Sequence, residues 1–178
     1  DPICPGDINP PPPPPPPPAV CGLPGLMCVQ SGYPRGRVRV KDTQLGICEP
    51  VADVKIRSKN WFKIENTRTN ALGEFSIGKR YANRVKINLI FRNDEVSIRP
   101  MRTKVGIRLS LFPITYTLGV FTDMCAANTV DKVFERPTDR ESKGFEAWVA
   151  CNAVNSRKEQ IAFAESPAEG IQAMKDFR

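Results

Sequence analysis

The sequence predicts a mainly β protein, an antiparallel β-sandwich of about seven strands, with an extended polyproline leader before it and a short helical region after it. From Gly36 onwards apolar and polar residues alternate with period two, as in strands with one buried face. Turn-forming residues separate these runs at short intervals without helical patterns between them, which favours antiparallel pairing. The apolar fraction of 40% is enough to build one core.

Residues 1–35 form the predicted leader, and its main feature is an unbroken run of prolines between Asn9 and Ala19. Such a run favours a stiff polyproline II helix, about 28 Å long at ~3.1 Å per residue. The rod could be an inert spacer or an element that a neighbouring molecule binds. We expect it to contact a neighbouring subunit through Pro10, Pro11, Pro12, Pro13, Pro14, Pro15, Pro16, Pro17 and Pro18.

Residues 36–125 contain the alternating runs and are predicted to form the sandwich. The segment around Trp61 is predicted as a further strand, with Phe62 and Ile64 inward and Trp61 facing out or capping an edge. The main runs are Val38/Val40, Val51/Val54/Ile56, Phe75/Ile77, Val85/Ile87/Leu89/Phe91, Val96/Ile98, Val105/Ile107/Leu109/Leu111 and Tyr116/Leu118/Val120.

Residues 126–178 are predicted to form a helical C-terminal extension. The residues 138–141, "TDRE", fit a capping box, and apolar residues at helical spacing follow them. A second capping box at 166–169 predicts a short terminal helix. We interpret both apolar stripes as packing surfaces, on the sandwich or on a neighbouring molecule. The stripes are Phe145/Trp148/Val149/Asn152 and Ile171/Met174/Phe177.

Six cysteines indicate disulfides formed in an oxidising compartment, because their number is even and none stands in a CxxC pair. The chain has no histidine, which excludes mixed Cys/His zinc sites, and no metal site is expected. Free buried thiols are the alternative. The pairings considered are Cys21 with Cys28 and Cys125 with Cys151, and the full set of disulfide candidates is Cys4, Cys21, Cys28, Cys48, Cys125 and Cys151.

Residues 36–91 follow a recognisable order: an opening "GRVRVKDT" strand, then "EPVADVKIRS", then the hairpin "TRTNALGEFSI". This order resembles the carboxypeptidase regulatory-like domain, a transthyretin-like β-sandwich common in secreted bacterial proteins. The resemblance implies that fold and a role as scaffold, spacer or interaction module. The insert "KNWFKIEN" and the absence of a "PGxY" segment depart from the family pattern. The matching positions are Gly36, Val38, Pro50, Val51, Val54, Ile56, Thr69, Asn70, Gly73, Phe75 and Ile77.

No pattern for catalysis is found. A histidine-based triad is impossible, and no glycine-rich phosphate loop or dinucleotide motif is present, so we expect neither an enzyme nor a cofactor.

The net charge of +7 comes largely from basic residues that alternate with apolar ones, which indicates a strand's solvent face rather than a nucleic-acid site. An acidic polysaccharide stays open as a partner. No run reaches the ~18 to 20 apolar residues of a membrane helix, so no membrane span is expected.

We therefore expect a secreted, non-enzymatic structural protein, located outside the cell or at its surface. Self-association into a homo-oligomer or filament would follow if the polyproline arm docks on a neighbouring subunit. Aromatic side chains would form the groove, and the candidates are Trp61 and Trp148, with Tyr33 and Tyr81. The alternative is an accessory binding or spacer domain of a larger secreted peptidase or glycan-active protein. It follows from a looser resemblance of residues 144–171 to a helical segment of some Bacteroidota secreted proteins.

Overall fold

The computed structural model describes residues 32–43, 46–94, 96–99 and 112–164. Several predicted features lie outside these residues: the proline run 10–18, the cysteines Cys4, Cys21 and Cys28, the strand at 105–111 and the terminal helix after residue 166. The described chain is mainly β. Its elements are β1 (Arg35–Lys41), β2 (Cys48–Pro50), β3 (Lys55–Asn60), β4 (Lys63–Arg68), β5 (Glu74–Ser76), β6 (Val85–Ile90), β7 (Thr115–Phe121), α1 (Met124–Asn128), β8 (Val130–Phe134) and α2 (Lys143–Ala164).

The strands form two sheets, and β1 is the centre of the first. β2 and β5 pair with it antiparallel, one after the other along one edge, with Arg39 opposite Pro50 and Gly36 opposite Phe75. β8 pairs in parallel along the other edge, with Gly36 opposite Val130. The second sheet has the order β4-β3-β6-β7, and all its pairs are antiparallel.

One apolar core lies between the two sheets. Val38 and Val40 from β1 contribute to it from one side, and Ile56, Ile87 and Leu89 from β3 and β6 from the other; all five are fully buried. The alternation that predicted these strands is the alternation of core and outer faces. The prediction of a mainly β chain with two sheets and a C-terminal helix is confirmed.

The outer face of β1 differs from the prediction. Arg37 and Arg39 were expected in solvent, but only 7% and 5% of their surfaces are exposed. Both donate hydrogen bonds to the carboxylate of Asp131 on β8, at 2.7–3.0 Å. The two guanidinium groups are buried because β8 supplies an anion beside them, so burial does not leave them without a counter-charge.

Two elements after residue 122 had no sequence prediction, α1 and β8. The side chain of Asp123 caps α1 by accepting a hydrogen bond from the backbone N–H of Cys125, at 2.8 Å. The short helix turns the chain back so that β8 lies beside β1 in parallel. The residue range predicted as a helical extension therefore contributes a strand to the first sheet.

One predicted strand is absent from the described residues, and the side-chain directions predicted for another segment are wrong. Around Val96 and Ile98 the described residues hold one isolated bridge, Arg92 opposite Ser97, and no strand. Phe62 and Ile64 do not point inward, because the turn that joins β3 to β4 contains Phe62, which is 96% exposed. The hairpin register then places Ile64 opposite Lys59, on the outer face of the second sheet.

Helix α2 begins later than predicted. Ser142, and not Thr138, is the capping residue, since its Oγ accepts a hydrogen bond from the N–H of Phe145 at 3.1 Å. The buried residues Ala147, Ala150, Cys151 and Val154 lie on one face at helical spacing and join the core. Neither described helix combines the length and the apolarity that crossing a bilayer requires.

The predicted Cys125–Cys151 disulfide is wrong. Cys151 lies on the buried face of α2 with a free thiol, and burial raises the pKa of that thiol. Its side chain packs in the core instead of reaching Cys125 on α1. Cys48 and Cys125 each form a disulfide. Their partners, and any pairing of the other cysteines, stay a prediction.

Candidate functional site

The β3–β4 hairpin carries an exposed aromatic pair at its turn. Because Asn60 pairs with Lys63, Trp61 and Phe62 form a two-residue loop. They are 84% and 96% exposed, and their ring centroids are 6.3 Å apart. We call this pair the aromatic tip.

The residue types of the aromatic tip are not explained by the turn itself. Two-residue hairpin loops often contain glycine or asparagine because many of them need a positive φ. Neither Trp61 nor Phe62 has a positive φ, so this turn requires neither glycine nor an aromatic residue, and both rings face solvent instead of the core. Two large apolar side chains exposed next to each other make this turn a candidate contact surface.

An open pocket of about 220 Å³ lies beside the aromatic tip. The hairpin forms one wall, and the loop before β6 forms the other. Besides Tyr81, its polar lining residues are Asn60, Asn83 and Lys63, and none of the lining residues is acidic. The lining residues are Asn60, Trp61, Phe62, Lys63, Tyr81, Ala82 and Asn83.

The inner wall of the pocket is fixed by buried hydrogen bonds. The Tyr81 hydroxyl lies 2.8 Å from the Ser58 hydroxyl, and Tyr81 is only 1% exposed. Burial raises the pKa of the Tyr81 phenol, and the hydrogen bond with Ser58 offsets this in part, so the phenol is uncharged at neutral pH. Glu65 accepts a hydrogen bond from the N–H of Gly78 at 3.0 Å, which ties β4 to the chain after β5.

The N-terminal segment joins the domain at the same wall. The N–H of Tyr81 donates to the carbonyl of Gly32, at 2.8 Å, and the N–H of Ile77 donates to the carbonyl of Pro34, at 2.9 Å. Gly32 is also in close contact with Arg80. Gly32, where the first described range begins, therefore lies next to the pocket.

The basic side chains near the tip are held in place. Lys63 donates to the carbonyl of Arg80 at 3.3 Å, and Lys79 donates to the carbonyl of Ile64 at 2.9 Å. Together with the two amides they make the surroundings of the aromatic rings rich in donors. The arrangement suits an occupant that offers apolar rings and hydrogen-bond acceptors.

The aromatic residues predicted to contact a neighbouring subunit lie in two different parts of the fold. Trp61 and Tyr81 line the pocket, whereas Trp148 lies on α2, where its indole N–H donates to the carbonyl of Lys41 at 3.2 Å. The Trp148 ring also packs against Phe145, with centroids 5.8 Å apart. Trp148 is thus a packing residue that attaches α2 to β1. Tyr33 is partly exposed one residue after Gly32, and the predicted proline contacts lie outside the described residues.

Sequence reasoning missed Phe62 because alternation placed it inside. No local signal would have identified it, because "NWFK" contains neither glycine nor proline to mark the turn. Among the described residues no group of three or more potential metal ligands is found.

No protein-family model matches the chain, and no curated protein sequence matches it. Part of the chain is similar to the solved structure of 5-hydroxyisourate hydrolase from Klebsiella pneumoniae, at 17% identity and a TM-score of 0.24. The match covers 32% of this chain and 55% of that chain, so it spans about half the length of the hydrolase. A likeness this low transfers neither an activity nor a site.

Proposed function

We propose that the chain is a secreted, non-enzymatic structural protein that assembles outside the cell or at its surface. In the assembly, the proline run of one subunit docks on the aromatic tip of the next. The observation that carries the proposal is the exposure of Trp61 and Phe62 beside the loop where the N-terminal segment enters.

The chemistry of a proline run matches that of the pocket. Proline has no backbone N–H, so nine consecutive residues offer carbonyl acceptors and apolar rings but no donors. The residues that line the pocket carry aromatic rings, two side-chain amides, an ammonium and an indole N–H. Aromatic-lined grooves bind polyproline helices in this way, and the stiff helix loses little entropy on binding.

The length of the leader allows contact with another subunit. Thirteen residues, 19–31, separate the last proline of the run from Gly32, and they can span at most about 45 Å. The same reach also allows docking on the chain's own tip, which would leave the chain monomeric. Docking on a neighbour repeats from one subunit to the next and produces an open filament when the rotation does not close.

A transthyretin-like fold belongs to the same proposal. Its support is the placement of the family-like positions: Gly36 and Val38 lie in β1, Ile56 in β3 and Phe75 in β5. Val38, Ile56 and Phe75 all face the core, as the resemblance implies. Disulfides would stabilise such a domain in the oxidising space outside the cell.

The proposal predicts that assembly needs both the arm and the aromatic tip. Replacing residues 10–18 by a Gly/Ser segment of equal length, or Trp61→Ala, should each weaken self-association of the full chain by at least about tenfold, because buried aromatic anchors dominate such contacts. Sedimentation velocity over a range of concentrations measures the effect, and electron microscopy shows whether filaments form.

A matched control is Phe163→Ala, which removes another exposed aromatic side chain, on α2. It should leave self-association unchanged. Assembly that survives the Gly/Ser replacement would reduce the arm to a spacer and contradict the proposal. Monodisperse unmodified chain at high concentration would also contradict it, and would favour an accessory binding domain of a larger secreted protein.

A further inference from the structure

The outer face of the second sheet has twelve positions in three rows of four. Residues that pair across neighbouring strands point to the same side of the sheet, so the register assigns each row. The rows are Arg68/Lys55/Ile90/Thr115, Asn66/Arg57/Asn88/Thr117 and Ile64/Lys59/Lys86/Val120. We call these twelve positions the basic face.

The basic face carries charge of one sign. Five of the twelve side chains are lysine or arginine, four carry an amide or a hydroxyl, three are aliphatic, and none is acidic. Arg68 is paired with Asp53 and Asp94, at 3.0 and 2.8 Å. Among the described residues, Lys55, Lys59 and Lys86 make no ion pair, and Arg57 donates to the amide oxygen of Asn66 at 3.0 Å.

A solvent-exposed strand face does not require this arrangement. Lys59 and Lys86 lie directly opposite each other in the antiparallel pair of β3 and β6. Like charges at directly opposite positions destabilise a sheet, and mixed signs would serve solubility equally well. The pair therefore lowers the stability of the free protein and is favourable only when an anion lies between or above the two ammonium groups.

The spacing suits a linear polyanion. Lys55, Arg57 and Lys59 project from the same side of β3, about 6.7 Å apart along the strand, and Lys86 lies on the neighbouring strand about 4.8 Å away. The four cations form a band about 13 Å long in the middle of the sheet. Such a band attracts an anionic chain more strongly than it attracts a single small ion, because the chain meets several cations at once.

The neighbouring side chains favour a polysaccharide over a nucleic acid. Sheet surfaces that read single-stranded nucleic acids stack the bases on aromatic side chains, and none of the twelve positions is aromatic. Asn66, Asn88, Thr115 and Thr117 instead offer donors and acceptors that suit sugar hydroxyls.

From this geometry we propose that the basic face binds an acidic polysaccharide carrying carboxylate or sulfate groups. Lys55, Arg57, Lys59 and Lys86 contact the anionic groups, and the amides and hydroxyls contact the sugar ring. The proposal does not depend on self-association, since the basic face shares no residue with the aromatic tip or its pocket. A subunit that failed to assemble would still bind the polymer.

The test is titration of the full chain with polygalacturonate and with dextran sulfate, followed by calorimetry at several salt concentrations. Binding should weaken as salt rises, and neutral dextran should not bind. The double variant Lys59→Gln/Lys86→Gln should lose about tenfold or more in affinity, since each cation near an anionic surface contributes about fivefold. Its Tm without ligand should be unchanged or higher, which separates lost binding from lost folding.

The control is Arg140→Gln/Lys143→Gln, which removes the same charge from exposed residues before and at the start of α2. It should leave the affinity nearly unchanged. An equal loss in both double variants would overturn the proposal, because net charge alone would then explain binding. Tighter binding of duplex DNA than of either polysaccharide at the same salt concentration would also overturn it and assign the face to nucleic acid.

Discussion

Gly73→Ala should lower the free energy of unfolding by about 3 kcal/mol or more, enough to unfold a large part of the protein. Gly73 has φ of +73°, a backbone conformation that side chains disfavour. A Cβ there would also lie against the carbonyl oxygen of Val38, well inside 3.0 Å. The contact matters because the N–H of Val38 donates to the carbonyl of Gly73 at 2.8 Å, beside the β1–β5 pairing.

Gly46→Ala is the control that separates backbone strain from the steric clash. Gly46 has nearly the same φ, +68°, but no described atom lies within 4 Å of the position a Cβ would take. Its substitution should cost only about 1 kcal/mol, the strain alone. Chemical denaturation followed by circular dichroism measures both variants. Equal losses at the two positions would show that the contact with Val38 adds nothing.

Asp131→Asn should destabilise the protein by about 2–3 kcal/mol, the second large effect. The carboxylate accepts hydrogen bonds from Arg37 and Arg39, whose side chains are 9% and 6% exposed. Removing the anion leaves two nearly buried guanidinium groups with a neutral amide. The measurement is the urea midpoint at pH 7. As a control, Glu135→Gln removes an exposed carboxylate whose 3.4 Å pair with Lys41 should contribute less than about 0.5 kcal/mol.

The same carboxylate makes stability depend on acid pH. Burial alone would raise the pKa of Asp131, but the hydrogen bonds and charges of Arg37 and Arg39 lower it below its ordinary value. A lowered folded-state pKa means that the stabilisation is complete above the unfolded pKa, near 4, and is lost as the pH falls through the folded value. Between about pH 5 and 2 the free energy of unfolding should fall less steeply with decreasing pH for Asp131→Asn than for the unmodified chain. Parallel curves would contradict this role of Asp131.

The core strands were predictable because alternation reports directly on burial. Val38 and Val40, or Ile87 and Leu89, are apolar at every second position, and the core requires this of any strand with one inner face. The charges of Arg37 and Arg39 misled the same reasoning, since their burial depends on Asp131, more than 90 residues further along the chain. A local pattern contains no information about such a partner.

The hairpin shows a second limit. Alternation is the same whichever residues form a turn, but moving the turn by one residue reverses the direction of every following side chain. Because the turn lies at Trp61 and Phe62, Ile64 lies on the outer face of the second sheet. Nothing in the composition of "KNWFKIEN" marks the turn. The candidate site was predictable only in part: Trp61 and Tyr81 were named, but their meeting in one pocket depends on the fold.

The parallel pairing of β8 with β1 has a consequence for how the chain folds. β1 pairs with β2 and β5, which follow it closely in the sequence. Its other edge pairs with β8, which lies about 90 residues downstream. Contacts of such large sequence separation form late. Until β8 arrives, β1 presents an unpaired edge on which another chain can add a strand. Chains that end before Val130 should thus aggregate, and the full chain is exposed to the same risk until its C-terminal segment closes that edge.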